Sequence, residues 1–281
     1  MRACKRLLAL AVSLWLAAVL LGATIAASPR LRFVASGADA RASRLAAAPA
    51  PCRIFLVGSS TVAFGLSAAE LSARTGCAAT NLGVHGIREQ IGPYLDQVVA
   101  HLRPGDTVVL NDRAWTDPGV NQGPCARRPA WRCFVASLHV APNVQENFSQ
   151  FTGLGLARNP LGDVVEFPPP ASRTHPMTDW TAGDADEEVR LVCAQAETIR
   201  ARGARVILAV APILIDEAAR TTLATRHAEF AARVRARAEG VAWVEPLLLT
   251  DASAFTLDGL HPSQLGRRVW TGQVLGVLTG K

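Results

Sequence analysis

From residue 53 onward, short apolar runs alternate with stretches of helical spacing, and this alternation constrains the fold more than any other feature. Residues 53–58, 78–84, 106–110, 205–211 and 241–244 read as strands. Between them, Ser67 and Glu70 form a capping box that opens a helix to about residue 74. Ile91, Leu95, Val98 and Leu102 recur at helical spacing within 87–102, and Pro104-Gly105 stops that run. Helices are also expected over 185–202, 216–239 and 263–278. Strand–helix alternation of this kind builds βαβ units around a parallel sheet, and strands without polar alternation are covered on both faces. The expectation is an α/β fold: a three-layer α/β/α domain with five parallel strands in flavodoxin-like order, for which 281 residues suffice. Ligands in such folds sit at the carboxyl ends of the strands. That directs attention to Gly58-Ser59-Ser60, to 83–86, to Asn111-Asp112-Arg113 and to the segment after the fifth strand.

The N-terminus addresses the chain to a membrane. Arg2, Lys5 and Arg6 precede an uncharged stretch over 7–29, the pattern of an export signal. The small residues Thr24, Ala26 and Ala27 would permit cleavage, while an apolar run of about 20 residues would also serve as an uncleaved anchor. Residues 1–27 are therefore read as signal peptide or membrane anchor, 28–51 as a tether rich in Ala, Arg, Ser and Pro, and 52–281 as the folded domain. The location expected is extracytoplasmic or periplasmic, with the N-terminal segment holding the domain to the inner membrane if it is retained. Cysteine usage agrees. Cys52 with Cys77 would tie two strand ends, Cys125 with Cys133 would close a short loop, and Cys193 would be a buried thiol. The sequence does not fix these pairings. No CxxC pair or zinc-ligand spacing is present, so no metal is expected. The formal charge of +6 suggests an anionic partner, but Lys occurs only at Lys5 and Lys281, the arginines are interspersed with acids, and removing the basic N-terminus halves the excess. Without a basic stripe, nucleic acid is not an expected partner.

One region breaks the alternation. Residues 113–183 follow the third strand and hold nine of the 17 prolines. So long a stretch is expected to be a loop-rich insertion, a lid or a binding loop. Trp115, Trp131 and Trp180 lie in it with Arg127, Arg128 and Arg132. These aromatics either stack on sugar rings or pack the insertion onto the sheet.

The candidate chemistry comes from two ends of the chain. In Gly58-Ser59-Ser60-Thr61 a serine stands between a strand and a helix, where it can present its hydroxyl at the strand edge. Val62 occupies the second glycine position of the G-x-S-x-G elbow, and a phosphate loop would need a lysine that is not there. Near the C-terminus, Asp258-Gly-Leu-His261-Pro262 puts a carboxylate three residues ahead of a histidine, within reach of its Nδ1. Read separately, both pieces are compatible with ordinary turns and caps.

Together they resemble the SGNH (GDSL-type) hydrolase family, whose members carry a Ser near the N-terminus, then a Gly, an Asn, and an Asp-x-x-His near the C-terminus. The matching residues are Ser60 in Val-Gly-Ser-Ser-Thr-Val-Ala-Phe-Gly, Gly86 in Asn-Leu-Gly-Val-His-Gly, Asn111 in Val-Val-Leu-Asn-Asp, and Asp258 with His261. The resemblance covers about 53–112 and 205–281. Ser59 stands where the Gly-Asp-Ser form has Asp, and Leu110 precedes Asn111 where a Gly is usual, so Asp112 or Arg113 is an alternative occupant of the third position.

The resemblance implies acyl transfer. Ser60 would be the nucleophile, His261 the base and then the acid, and Asp258 the residue that orients His261. The Ser60 and Gly86 N–H groups and the Asn111 side chain would donate to the oxyanion. Arg113 and Trp115 are the candidate substrate contacts, and His85 would be a wall of the site. No metal or organic cofactor is implied. For an exported protein the substrate implied is an acylated carbohydrate or small ester, giving an esterase for O-acyl groups, foremost O-acetyl, on envelope or extracellular polysaccharide. An O-acetyltransferase would need the same triad. A non-catalytic carbohydrate-binding accessory protein on the same fold is the reading from another class.

Overall fold

The computed structural model describes residues 2–27, 31, 33–34, 36–84, 91–111, 157–167, 185–256 and 261–280. Helix α1 (Arg2–Ala27) contains the apolar stretch Cys4–Gly22, with mean hydropathy 1.9 and exposed leucines along its length; by length and composition it suffices to cross a membrane. There follow α2 (Ala38–Ala47), β1 (Arg53–Val57), α3 (Ser60–Gly65), α4 (Ala68–Thr75), β2 (Ala78–Asn81), α5 (Ile91–Val99) and β3 (Thr107–Leu110). The remainder comprises α6 (Ala185–Arg200), β4 (Arg205–Ala209), β5 (Ile213–Leu214), α7 (Arg220–Arg237), β6 (Ala242–Val244), β7 (Leu248–Leu249) and α8 (Gln264–Thr279).

Five strands pair in parallel in the order β2-β1-β3-β4-β6, the flavodoxin-like order read from the sequence. Period-2 geometry divides their side chains between two cores. Phe55, Val57, Val108, Leu110, Val206 and Leu208 face one side, beneath α2, α5, α6 and α7. Ile54, Leu56, Val109, Ile207 and Ala209 face the other, beneath α3, α4 and α8. Both faces are dry, which is why the strands read as continuous apolar runs. The layers are thus α/β/α. A separate parallel pair, β5 with β7, was not foreseen, because two-residue strands carry no readable period.

The local signals hold where side chains satisfy them. Ser67 Oγ accepts from the Glu70 N–H at the start of α4, and Gly76 ends that helix at φ 72°. Ser263 caps α8. Cys52 and Cys77 are disulfide-bonded and join the approaches to β1 and β2, and Cys193 is a buried thiol; Cys125 and Cys133 lie outside the described residues. The regular strand β2 ends at Asn81 instead of running to residue 84, although Leu82 N and Val84 N still donate to Leu56 O and Gly58 O; the Asn81 side chain accepts from the Gly83 N–H at 3.0 Å.

One expectation needs correction. The 28–51 segment is not a simple tether. Phe33, Ala38, Ala42 and Leu45 belong to the first core, and Arg41 is buried with its Nε on Asn81 O and its Nη1 on Ser36 O. Its apolar face is built of small residues around an arginine, so it shows little hydropathy contrast. Of the expected 113–183 insertion, 157–167 is described, and this piece is part of the domain. Leu161 O accepts from Asn81 N at 2.7 Å, and Arg158 bridges Val164 in an antiparallel turn. The Asp163 carboxylate accepts from Ala68 N, Ala69 N and Ser67 Oγ, capping α4 from across the chain.

Candidate active site

Ser60 is the first residue of α3, directly behind the turn that leaves β1. Every residue of α3 is buried, and Ser60 itself is only 3% exposed. The turn is tight enough to demand glycine. A Cβ at Gly58 would come within 2.7 Å of Asn111 O, and one at Gly83 would strike the Ala63 backbone.

His261 arrives from the far end of the sequence. Its carbonyl accepts from Thr256 N at 2.8 Å, Phe255 and Pro262 form an antiparallel bridge, and Ser263 N donates to Ala254 O. These bonds hold His261 beside α3, where Nε2 lies 2.7 Å from Ser60 Oγ across 201 residues of chain. The Phe64 ring, its centroid 4.9 Å from that of His261, backs the imidazole. A histidine nitrogen within hydrogen-bond reach of a serine oxygen is the geometry of an activated hydroxyl nucleophile.

Asn111 continues β3 into the same place. It is 1% exposed, its Nδ2 donates to Ala209 O at 2.7 Å, and its Oδ1 accepts from Thr61 Oγ1 at 3.0 Å. Of the other residues singled out in the sequence, Asp258, Gly86, Arg113 and Trp115 lie outside the described residues, as do His85, Asp112, Trp131 and Trp180.

Several residues that hold this site were not foreseen. Asn81, fully buried, donates from Nδ2 to Leu66 O at 2.9 Å and to Val62 O at 3.1 Å, gripping α3 from β2. Arg267, from α8, donates to Phe64 O at 2.6 Å, Ala63 O at 3.2 Å and Val164 O at 2.9 Å, and lies over the Phe167 ring. It ties the histidine-bearing end of the chain to the serine-bearing helix and to 157–167. Arg158 donates to Gly162 O and Gly83 O. Its burial, with Arg41 nearby, pulls its pKa down to about 10, and burial also lowers that of Arg267. Asn81 stands inside a stretch already marked for its glycines, so a signal existed. For the arginines none did, since carbonyl acceptors are invisible in sequence.

Among the described residues no group of three or more His, Cys, Asp or Glu converges as metal ligands do. A cavity of about 400 Å³ lies elsewhere, between α2, the start of β2 and Pro160-Leu161, and neither Ser60 nor His261 lines it.

No family model, no curated protein and no solved structure matches the chain.

Proposed function

We propose that this protein is a serine esterase that removes O-acyl groups, foremost O-acetyl, from envelope or extracellular polysaccharide. The observation that carries this reading is the 2.7 Å contact between Ser60 Oγ and His261 Nε2 at the carboxyl ends of a doubly wound sheet, where such folds hold their ligands. Ser60 Oγ attacks the acyl carbon as its proton passes to His261 Nε2. The ester C–O bond breaks and the alcohol departs with that proton. Water then attacks the acyl-enzyme, gives a proton to His261 and releases the acid as Ser60 is restored. Asp258 orients the imidazole in this scheme, while Ser60 N–H, Gly86 N–H and Asn111 stabilise the oxyanion. Arg113 and Trp115 contact the substrate. The basic, apolar α1 and the Cys52–Cys77 disulfide support an extracytoplasmic site of action, with α1 as signal or anchor.

The test is hydrolysis of p-nitrophenyl acetate by the full chain in detergent, beside Ser60→Ala and His261→Ala. Each variant is expected to lose about 10³-fold or more in kcat while melting as the wild type does. A fluorophosphonate should label Ser60 covalently. Acetate delivered to an oligosaccharide acceptor instead of water would make the enzyme a transferase, and a folded wild type that neither hydrolyses nor labels would make it a binding module.

A further inference from the structure

Around Ser60 the hydrogen bonds have a determined direction. The Ala209 carbonyl can only accept, so the Asn111 amide must turn its nitrogen toward it. Asn111 Oδ1 can then only accept, so the Thr61 hydroxyl spends its single proton there, at 3.0 Å. Ser59 Oγ lies 3.0 Å from Thr61 Oγ1 and must donate to it. Ser59, Thr61 and Asn111 are at most 2% exposed, so bulk solvent does not compete for these partners.

We propose that Thr61 is a positioning residue for Asn111: its hydroxyl is the second anchor of the amide, beside Ala209 O, and together they aim the remaining Nδ2 proton at the oxyanion formed on Ser60. This rests on the acyl-transfer reading above. An amide held only by Ala209 O could pivot about that bond and carry its remaining N–H off the oxyanion, which would raise the barrier without weakening substrate binding. The same logic gives Ser59 a reason. An aspartate at 59, as in the Gly-Asp-Ser form, could only accept, and would draw the Thr61 proton away from Asn111.

The experiment compares Thr61→Val, which keeps the shape and removes the hydroxyl, with Thr61→Ser, which keeps the hydroxyl, in the full chain with p-nitrophenyl acetate. Thr61→Val is expected to lower kcat about ten-fold, the worth of one buried hydrogen bond, with KM within about two-fold. Thr61→Ser should recover most of that loss. Asn111→Ala should cost on the order of 10² in kcat, and adding Thr61→Val to it should cost nothing more, because Thr61 acts through the amide. If Thr61→Val does not fold, Thr61→Ala takes its place. A wild-type kcat in the hydroxyl-less variant, a Thr61→Ser as impaired as Thr61→Val, or a full additive loss in the double variant would each overturn the proposal. Fluorophosphonate labelling of Ser60 in the wild type is scored separately. Its failure would bring down the acyl-transfer reading itself, and this proposal with it.

Discussion

Strands β1 and β3 lie side by side, and each has buried polar groups at both tips, but the two tips are built differently. At the amino end Arg53 and Asp106 form a bidentate ion pair, with bonds of 2.8 and 2.6 Å and side chains 1% and 2% exposed. Asp106 also accepts from Arg103 N, and Arg53 donates to Leu45 O. That arrangement is closed, since its polar groups satisfy one another and the adjoining backbone. At the carboxyl end the groups are neutral: Ser59, Thr61 and Asn111 join in a chain that begins beside Ser60. Neutral dipoles can hold a nucleophile in place without adding a fixed charge to a site where charge must develop and vanish. One end of the same strand pair fixes the register of the sheet; the other, on the proposed esterase reading, orients the Ser60 hydroxyl.

The comparison breaks first at the amino end. Removing Asp106 as Asp106→Ala leaves a buried guanidinium without its partner, which typically costs about 3–5 kcal/mol. Chemical denaturation should show that loss, while kcat measured below the unfolding transition stays at the wild-type value. A fall in kcat of ten-fold or more would show that the two tips are coupled and that the division of labour is wrong.

How much of each end could be read in advance follows from the kind of interaction involved. The sheet, its order and the boundaries of α4 and α8 were legible because they rest on period-2 and period-3.6 patterns and on caps three residues from their targets. Ser60, His261 and Asn111 were legible as motif residues, and the chain brings all three to the same strand ends. The Arg53–Asp106 pair was not, because a partner 53 residues away leaves no local trace. The same holds for Arg267 on its three carbonyls and for Asp163 capping α4 from 95 residues on. Helix α2 was missed for a different reason. Its buried face is alanine, leucine and one arginine whose Nε and Nη1 reach backbone carbonyls, so its composition resembled that of a linker.

His227, buried in α7 and belonging to neither tip, offers a pH-dependent contrast. Burial lowers its pKa from 6.5 to about 4. Between those values the unfolded chain takes up a proton that the folded chain refuses, so stability falls as the pH drops through this window. A shift of this size corresponds to about 3 kcal/mol, fully present above pH 6.5 and lost by about pH 4. Urea denaturation at pH 7 and pH 4.5 should show a markedly smaller difference in His227→Gln than in the wild type. Equal acid losses in the two proteins would place the acid-sensitive group elsewhere.

Asn81 sharpens the comparison most finely, because it belongs to the carboxyl end yet touches neither Ser60 nor His261 in any bond seen among the described residues. Its amide holds α3 through Val62 O and Leu66 O, and its side-chain oxygen accepts from Gly83 N. Val62 O keeps a second partner in Leu66 N, so Asn81→Ala orphans fewer groups than Asp106→Ala and should cost only about 2 kcal/mol. Its effect on rate should nonetheless exceed that of Asp106→Ala, with kcat down about ten-fold, because a loosened α3 moves Ser60 Oγ from its 2.7 Å contact. Asn81→Asp places a carboxylate against the same carbonyls and should be worse on both measures. The informative quantity is therefore the ratio of rate loss to stability loss, high for Asn81 and near zero for Asp106. If the two variants fall on one line, buried polar groups at both tips serve stability alone, and the orientation of Ser60 depends on contacts other than these.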